Sequence, residues 1–258
     1  MNPFQGTANY YRRYRPPFPP EAAKWLHEQS LLRTSGKRLL DVGCGTGQVM
    51  VACAPYFEQM IGIDPDSGML EEASDALKSV LAERRLIRLF QSRIEDYFPP
   101  EIWKASLVTF SRSFHWVEQD ATLLRLADMT EPQGMVALMS DRSIGRGSTE
   151  WQRSVEQLVT EFLGAEGHPQ MKPSREWGDV LAASPFSVVE RAEFPVRRIW
   201  SYETILGYIY STSRASKPHY GERAAEFEER LKAQLTNHSS NDQYLETDQW
   251  EVILGSKR

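Results

Sequence analysis

Three glycines, Gly43, Gly45 and Gly47, alternate along "LLDVGCGTGQVMVACA" (39–54), with Asp41 two positions before the first and Asp64 further on in "GIDPDSGML". A glycine-rich turn lets backbone approach a ligand closely, and a helix that begins there aims its N–H groups at the ligand's polar end. A dinucleotide fingerprint of the G-x-G-x-x-G form, counted from Gly43, needs glycine at 48, where this chain has Gln48. The Gly-Lys-Ser/Thr of a phosphate loop is also missing. What remains is carboxylate chemistry: Asp64 can accept paired hydrogen bonds from a vicinal diol, and a ligand without phosphate needs no basic loop.

A second reactive stretch is "FSRSFHW" (110–116), where His115 stands at the carboxyl end of a core strand, and histidine is the residue type whose natural pKa suits a general base. Shaping a pocket together with Trp116 is the alternative role. His27, His168, His219 and His238 are scattered without metal-ligand spacing. The two cysteines, Cys44 and Cys53, support neither a disulfide framework nor a zinc site, so no metal is expected.

These groups need elements to hold them. "KRLLDVG" reads as a buried strand, residues 47–54 as a helix, and "QMIGID" as a second strand. Asp66 or Ser67 can cap a helix with Met69, Ala73, Leu77 and Val80 on one face. "LIRLF", "ASLVTF" and "GMVALMS" continue the alternation, with a helix after Glu118 expected to turn Ala121, Leu124 and Ala127 inward. Strands alternating with helices imply a mostly parallel sheet whose ligands bind beyond the carboxyl ends of the strands. The Pro-rich "RPPFPP" (15–20) predicts an extended arm before the first regular element, a helix running to about Leu32. After Asp141, "RSIGRGS" reads as a loop and Trp151, Val155, Leu158, Val159 and Phe162 as an amphipathic helix ended by Gly164. One or two β segments in "FSVVERAEFPVRRIW", two helical patches and a closing strand near "QWEVILGSKR" complete the chain.

At 258 residues, with 41% hydrophobic and 25% charged residues, one large α/β domain or a core with a small appendage is expected. A net charge of -5 with dispersed Lys and Arg argues against nucleic acid or an anionic membrane as partner and favours a small-molecule substrate. No stretch approaches the roughly 20 apolar residues that span a bilayer, and the first residues lack a signal-peptide core. A cytoplasmic protein, monomer or homodimer, is the expectation.

The stretch Asp-Val-Gly-Cys-Gly-Thr-Gly resembles motif I of class I S-adenosylmethionine-dependent methyltransferases, and "GIDPDSGML" resembles their second motif. The resemblance implies a Rossmann-like α/β fold with a mostly parallel seven-stranded sheet, an N-terminal arm and a late helical insertion. It divides the chain into an arm and lid helix (1–35), a cofactor-binding core (36–141), and a substrate cover with the C-terminal strands (142–258). By the same resemblance Asp41 serves the cofactor's ammonium end, Gly43, Cys44, Gly45 and Gly47 lie against its amino-acid part, and Asp64 holds the ribose. Pro65 and Met69 of the second motif, Ile94 and Glu95 of "SRIEDY", and Ser111 complete the implied cofactor contacts.

"ANYYRRYRPPFP" (8–19) resembles the opening of a small-molecule subgroup that includes relatives of trans-aconitate methyltransferase, although Phe18 stands where that pattern often has tyrosine. There the arm folds over the cofactor, which assigns Tyr14 and Arg15 to it, with Arg15 suited to the carboxylate. Tyr10, Phe114, Trp116, Tyr208 and Ser211 are the implied substrate contacts and His115 the catalytic candidate. Metal-using members of the catechol type carry acidic residues near the fifth strand's end, but Asp141 alone makes no metal site. The implied reaction is methyl transfer to a small acceptor, O-methylation of a carboxylate or hydroxyl being favoured over N or C. The alternative is a relative that keeps the cofactor and acts as a non-methylating cyclase or scaffold.

Overall fold

The computed structural model describes residues 6–257 except 79, 81–85, 101, 142–143, 145–146, 148 and 165–174. His168 and most of "RSIGRGS" lie outside the described residues. Seven strands, β1 (Arg38–Val42), β2 (Gln59–Asp64), β3 (Leu86–Gln91), β4 (Ala105–Ser111), β5 (Thr130–Asp141), β6 (Val188–Trp200) and β7 (Tyr244–Ser256), form one sheet in the order β3-β2-β1-β4-β5-β7-β6. The first five pair in parallel. β1, β2 and β4 are buried almost throughout, as parallel strands covered on both faces must be, while edge strand β3 alternates. The chain runs outward from β1 through β2 to β3, then returns to β4 on the other side of β1. That reversal opens a crevice outside the carboxyl ends of β1 and β4.

The helices follow local rules in most places. α2 (Pro20–Arg33) starts on a proline, whose missing N–H costs nothing at a first turn. α3 (Gln48–Cys53) begins after left-handed Gly47, and α4 (Ser67–Lys78) is capped by Asp66, whose Oδ1 accepts from Met69 N at 3.0 Å. Val80 lies beyond its end.

Two expectations need correction. The arm is not extended throughout: α1 (Ala8–Tyr14) is a helix and the first regular element, and only the following segment is extended, Arg15 at ψ 130° and Pro19 at ψ 130°. "ANYYRRY" contains neither proline nor glycine, so helix persists until the residues before Pro16 and Pro17 are forced out of it. In α5 (Gln119–Met129) the buried face is Thr122, Leu123, Leu126 and Met129, whereas Ala121 is exposed and Leu124 is 62% exposed. Burying Leu123, Leu126 and Met129 removes more apolar surface from water than burying two alanines and a leucine.

The remaining helices are α6 (Glu150–Leu163), α7 (Trp177–Ala182), α8 (Tyr202–Tyr210), α9 (Lys217–Tyr220) and α10 (Ala224–Thr236). Two compact units are each assembled from separated segments. The larger comprises Pro17–Ser140, Gln170–Phe194 and Glu251–Arg258, and the smaller Met1–Pro16, Asp141–Pro169 and Pro195–Trp250. The larger unit's core joins Leu40, Val42, Ile61 and Ile63 to Phe110, Phe114 and Leu138. In the smaller one Trp151, Tyr208, Tyr210, Tyr220 and Phe227 cluster.

Candidate active site

β1 hands the chain to α3 through a turn in which Gly43, Gly45 and Gly47 take φ of 67°, 53° and 79°, a region that strains other residues. Gly43 N and Cys44 N donate to the Ile63 carbonyl at 2.8 and 3.0 Å, so the turn is sewn to the end of β2. A Cβ at Gly43 would stand 2.6 Å from that of Ser113, whose hydroxyl donates to the Val42 carbonyl at 2.7 Å. Cys44 is buried against Gly62, and burial holds its thiol well above the usual range, which makes it packing rather than a nucleophile.

The two aspartates are held differently. Asp64, 9% exposed, accepts from Asp66 N on Oδ1 and from Gly45 N on Oδ2, both at 2.9 Å. Burial pushes its carboxyl up to about 6 against the pull of those two amides. Asp41, 1% exposed, accepts from the Thr109 hydroxyl on Oδ1 at 2.7 Å, and its Oδ2 is buried with no hydrogen-bond partner among the described residues. Burial, aided by the charge of Asp64 and opposed by Thr109, lifts it to about 7. Thr46 Oγ1 and Glu95 Oε1 are likewise buried without a partner. Unmet polar atoms cost about 1–3 kcal/mol each unless something supplies their partners. Around the glycine turn, the open oxygen of Asp41, the hydroxyl of Thr46 and the carboxylate of Asp64 fit a ligand bearing an ammonium and hydroxyl groups.

Beyond β3 the Ser92 amide donates to the Asp64 carbonyl at 3.1 Å, tying the "SRIEDY" bend to the same corner. Ile94 and Met69 are buried there, Glu95 half-buried and Pro65 exposed, its carbonyl accepting from Gln91 at 3.2 Å. At the end of β4, Ser111 is half-buried and Arg112 takes a φ of 55°, rare for a residue with a side chain. A single 3-10 turn, Phe114–Trp116, follows. It sends Phe114 wholly into the core, edge-on to Phe110 and Trp177 at centroid distances of 5.2 and 5.8 Å. Such a side chain offers no surface to a substrate in this conformation, whereas His115 and Trp116 are half-buried with rings 5.0 Å apart.

Residues 11–191, well over half of the chain, match the model of a methyltransferase domain. The chain belongs to the methyltransferase domain family. Its fold and glycine loop are those of the class I S-adenosylmethionine-dependent members. An uncharacterized methyltransferase of Mycobacterium tuberculosis is 24% identical over 213 residues, 81% of this chain and 76% of the relative. The 27-O-demethylrifamycin SV methyltransferase of Amycolatopsis mediterranei is 26% identical over 211 residues, 70% of this chain and 78% of that protein. In fold, the chain is similar to a methyltransferase from Thiobacillus denitrificans solved with S-adenosyl-L-homocysteine, with a TM-score of 0.54, 16% identity, and coverage of 100% and 99%.

In the methyltransferase's smaller unit the arm and late-helix candidates meet. Arg15 donates to Ser211 Oγ at 2.9 Å and to the Tyr208 hydroxyl at 3.1 Å, with its guanidinium 4.5 Å from the Tyr208 ring centroid. The Tyr14 hydroxyl donates to Glu203 at 3.1 Å, and Tyr10 stacks on Tyr14 and meets Tyr210 edge-on. Ser211 and Tyr208 are buried. Asp141 lies 3.8 Å from Arg198, which also pairs with Glu246 at 3.1 Å and Asp248 at 3.9 Å. Among the described residues no group of three His, Cys, Asp or Glu is placed to hold a metal ion.

The residues that sequence reasoning missed are Thr46, Thr109 and Ser113. Thr109 carried a signal: it is one of two hydroxyls, with Ser106, in the otherwise apolar run "ASLVTF", and strand register sets it beside Asp41.

Proposed function

We propose that this methyltransferase methylates a small molecule, with oxygen of a hydroxyl or carboxylate as the favoured acceptor. The observation that carries the donor half is the buried, unpartnered Oδ2 of Asp41 beside three left-handed glycines. S-adenosylmethionine, when bound, supplies an electrophilic methyl on a sulfonium. Asp41 accepts from its ammonium, Asp64 from its ribose hydroxyls, and the Gly43–Gly47 backbone makes room for its amino-acid part. Ile94 and Glu95 would hold its base between an apolar and a polar side chain, and Pro65 and Met69 would contact the cofactor from the second motif. Each of these groups acts by binding and orienting, and alignment is worth more than any proton transfer where an acceptor must attack in line.

The acceptor half rests on the acidic balance of the chain, which disfavours nucleic acid, and on the oxygen named in the Amycolatopsis relative's substrate. A carboxylate acceptor needs no base. For a hydroxyl acceptor His115 takes the proton at a ring nitrogen as the oxygen attacks, with the Trp116 ring beside it. The likeness to trans-aconitate methyltransferase is carried by residues 8–19 and by "WSYETILGYIYSTS" (200–213), which resembles the late helical segment that covers the active site in that subgroup.

The test is methyl transfer followed by mass spectrometry across a panel of hydroxyl, carboxylate and amine acceptors, with formation of S-adenosylhomocysteine as the second readout. On a hydroxyl substrate His115→Ala is expected to bind the donor as wild type does and to lose about 100-fold or more in turnover. Unchanged turnover removes the base role; methylation confined to amines overturns the oxygen assignment.

A further inference from the structure

We infer that Thr109 is the positioning residue of the ammonium site: its hydroxyl occupies one oxygen of Asp41 and fixes the other as the acceptor for a cation. This rests on the reading of Asp41 given above. Asp41 and Thr109 are register partners on adjacent parallel strands at the point where strand order reverses, and both are buried. The 2.7 Å hydroxyl-to-carboxylate contact is of charge-assisted length. A carboxylate with no such anchor can turn about its last torsion and present either oxygen, or a proton, to the ligand.

The hydroxyl has a second effect. A donor to the ionised form favours that form, so Thr109 offsets the burial that otherwise keeps Asp41 protonated. A protonated Asp41 could turn a donor toward an ammonium, which is itself only a donor. The titratable groups that sense Asp41 are Asp64 of β2, Cys44 of the turn and Cys53 of α3. Burial holds both thiols in the neutral form, which leaves Asp64 as the charge that opposes ionisation.

The experiment is calorimetry of S-adenosylhomocysteine binding to the full chain between about pH 5.5 and 8.5, for wild type, Thr109→Val and Thr109→Ser. Because all three bind the same ligand, the ligand's own titration cancels. Wild-type affinity is expected to rise with pH through about 7. Thr109→Val should bind about tenfold or more weakly near neutrality, with the midpoint of its pH dependence moved to higher pH, and Thr109→Ser should restore both. Should the valine variant fail to fold, Thr109→Ala makes the same comparison. Wild-type affinity and midpoint in Thr109→Val, a serine variant as weak as valine, or a pH-independent wild type overturns the inference while leaving the donor reading standing. A wild type that binds no S-adenosylhomocysteine overturns the donor reading itself, and this inference with it.

Discussion

Asp41 has one hydroxyl for company and an oxygen left over, while both oxygens of Asp64 are already engaged by backbone amides, that of Gly45 in the glycine turn and that of Asp66 ahead of α4. Both carboxyls are lifted from an ordinary 3.8, to about 7 and about 6, and burial is the main cause in each. A carboxyl raised in the folded state binds its proton more tightly there than in the unfolded chain. Its contribution to stability is therefore full below about 4 and is lost as pH rises through 6 to 7. Glu246, raised by burial in the smaller unit, acts in the same direction. The ligand-free protein is accordingly expected to melt at lower temperature at pH 8 than at pH 5, and Asp41→Asn to flatten that decline. A melting temperature that climbs steadily with pH would contradict the assignment of these groups.

At this scale the sequence was legible where chemistry and chain position coincide. Asp41 is the penultimate residue of β1 and Asp64 the last of β2, so type and place together marked both as candidates. Phe114, His115 and Trp116 are consecutive, and a 3-10 turn points consecutive residues in different directions, so spacing gave no warning that Phe114 faces the core.

Among elements, strands were easiest to read because a parallel sheet buries them whole; β2 runs over the residues expected, Gln59–Asp64. The face of α5 was misread because two overlapping apolar sets run along it, and only the packed core chooses between them. α1 was missed because the prolines that follow it dominate the local pattern. Its seat on α8 depends on a residue with no side chain: a Cβ at Gly207 would come within 2.2 Å of the Tyr14 ring. Gly207→Ala should therefore displace α1 and cost about 1–3 kcal/mol of stability in chemical unfolding. A helix former placed in α8 without that clash would instead raise stability by about 0.5–1 kcal/mol, so a gain would show that α1 does not pack there.

For the whole molecule, the strand order β3-β2-β1-β4-β5-β7-β6 puts the glycine turn, Asp64 and the β4 turn at one end of one sheet, as a doubly wound fold requires. Composition and motif were sufficient for the fold class and the donor. The division into two units was not legible, since each is stitched from three stretches far apart in the chain. The acceptor was illegible for a related reason: residue type alone does not separate an aromatic that packs in a core from one that faces a substrate, and Tyr208, a substrate contact by resemblance, lies buried in the smaller unit's cluster. The central claim, that a buried carboxylate beside the glycine turn awaits the ammonium of S-adenosylmethionine, meets its most direct test in calorimetry of S-adenosylhomocysteine binding to wild type and Asp41→Asn at pH 8. The account predicts binding by the wild type and a loss of about 1.5–3 kcal/mol in the folded variant; equal affinity of the two, or no binding by the wild type, would contradict it.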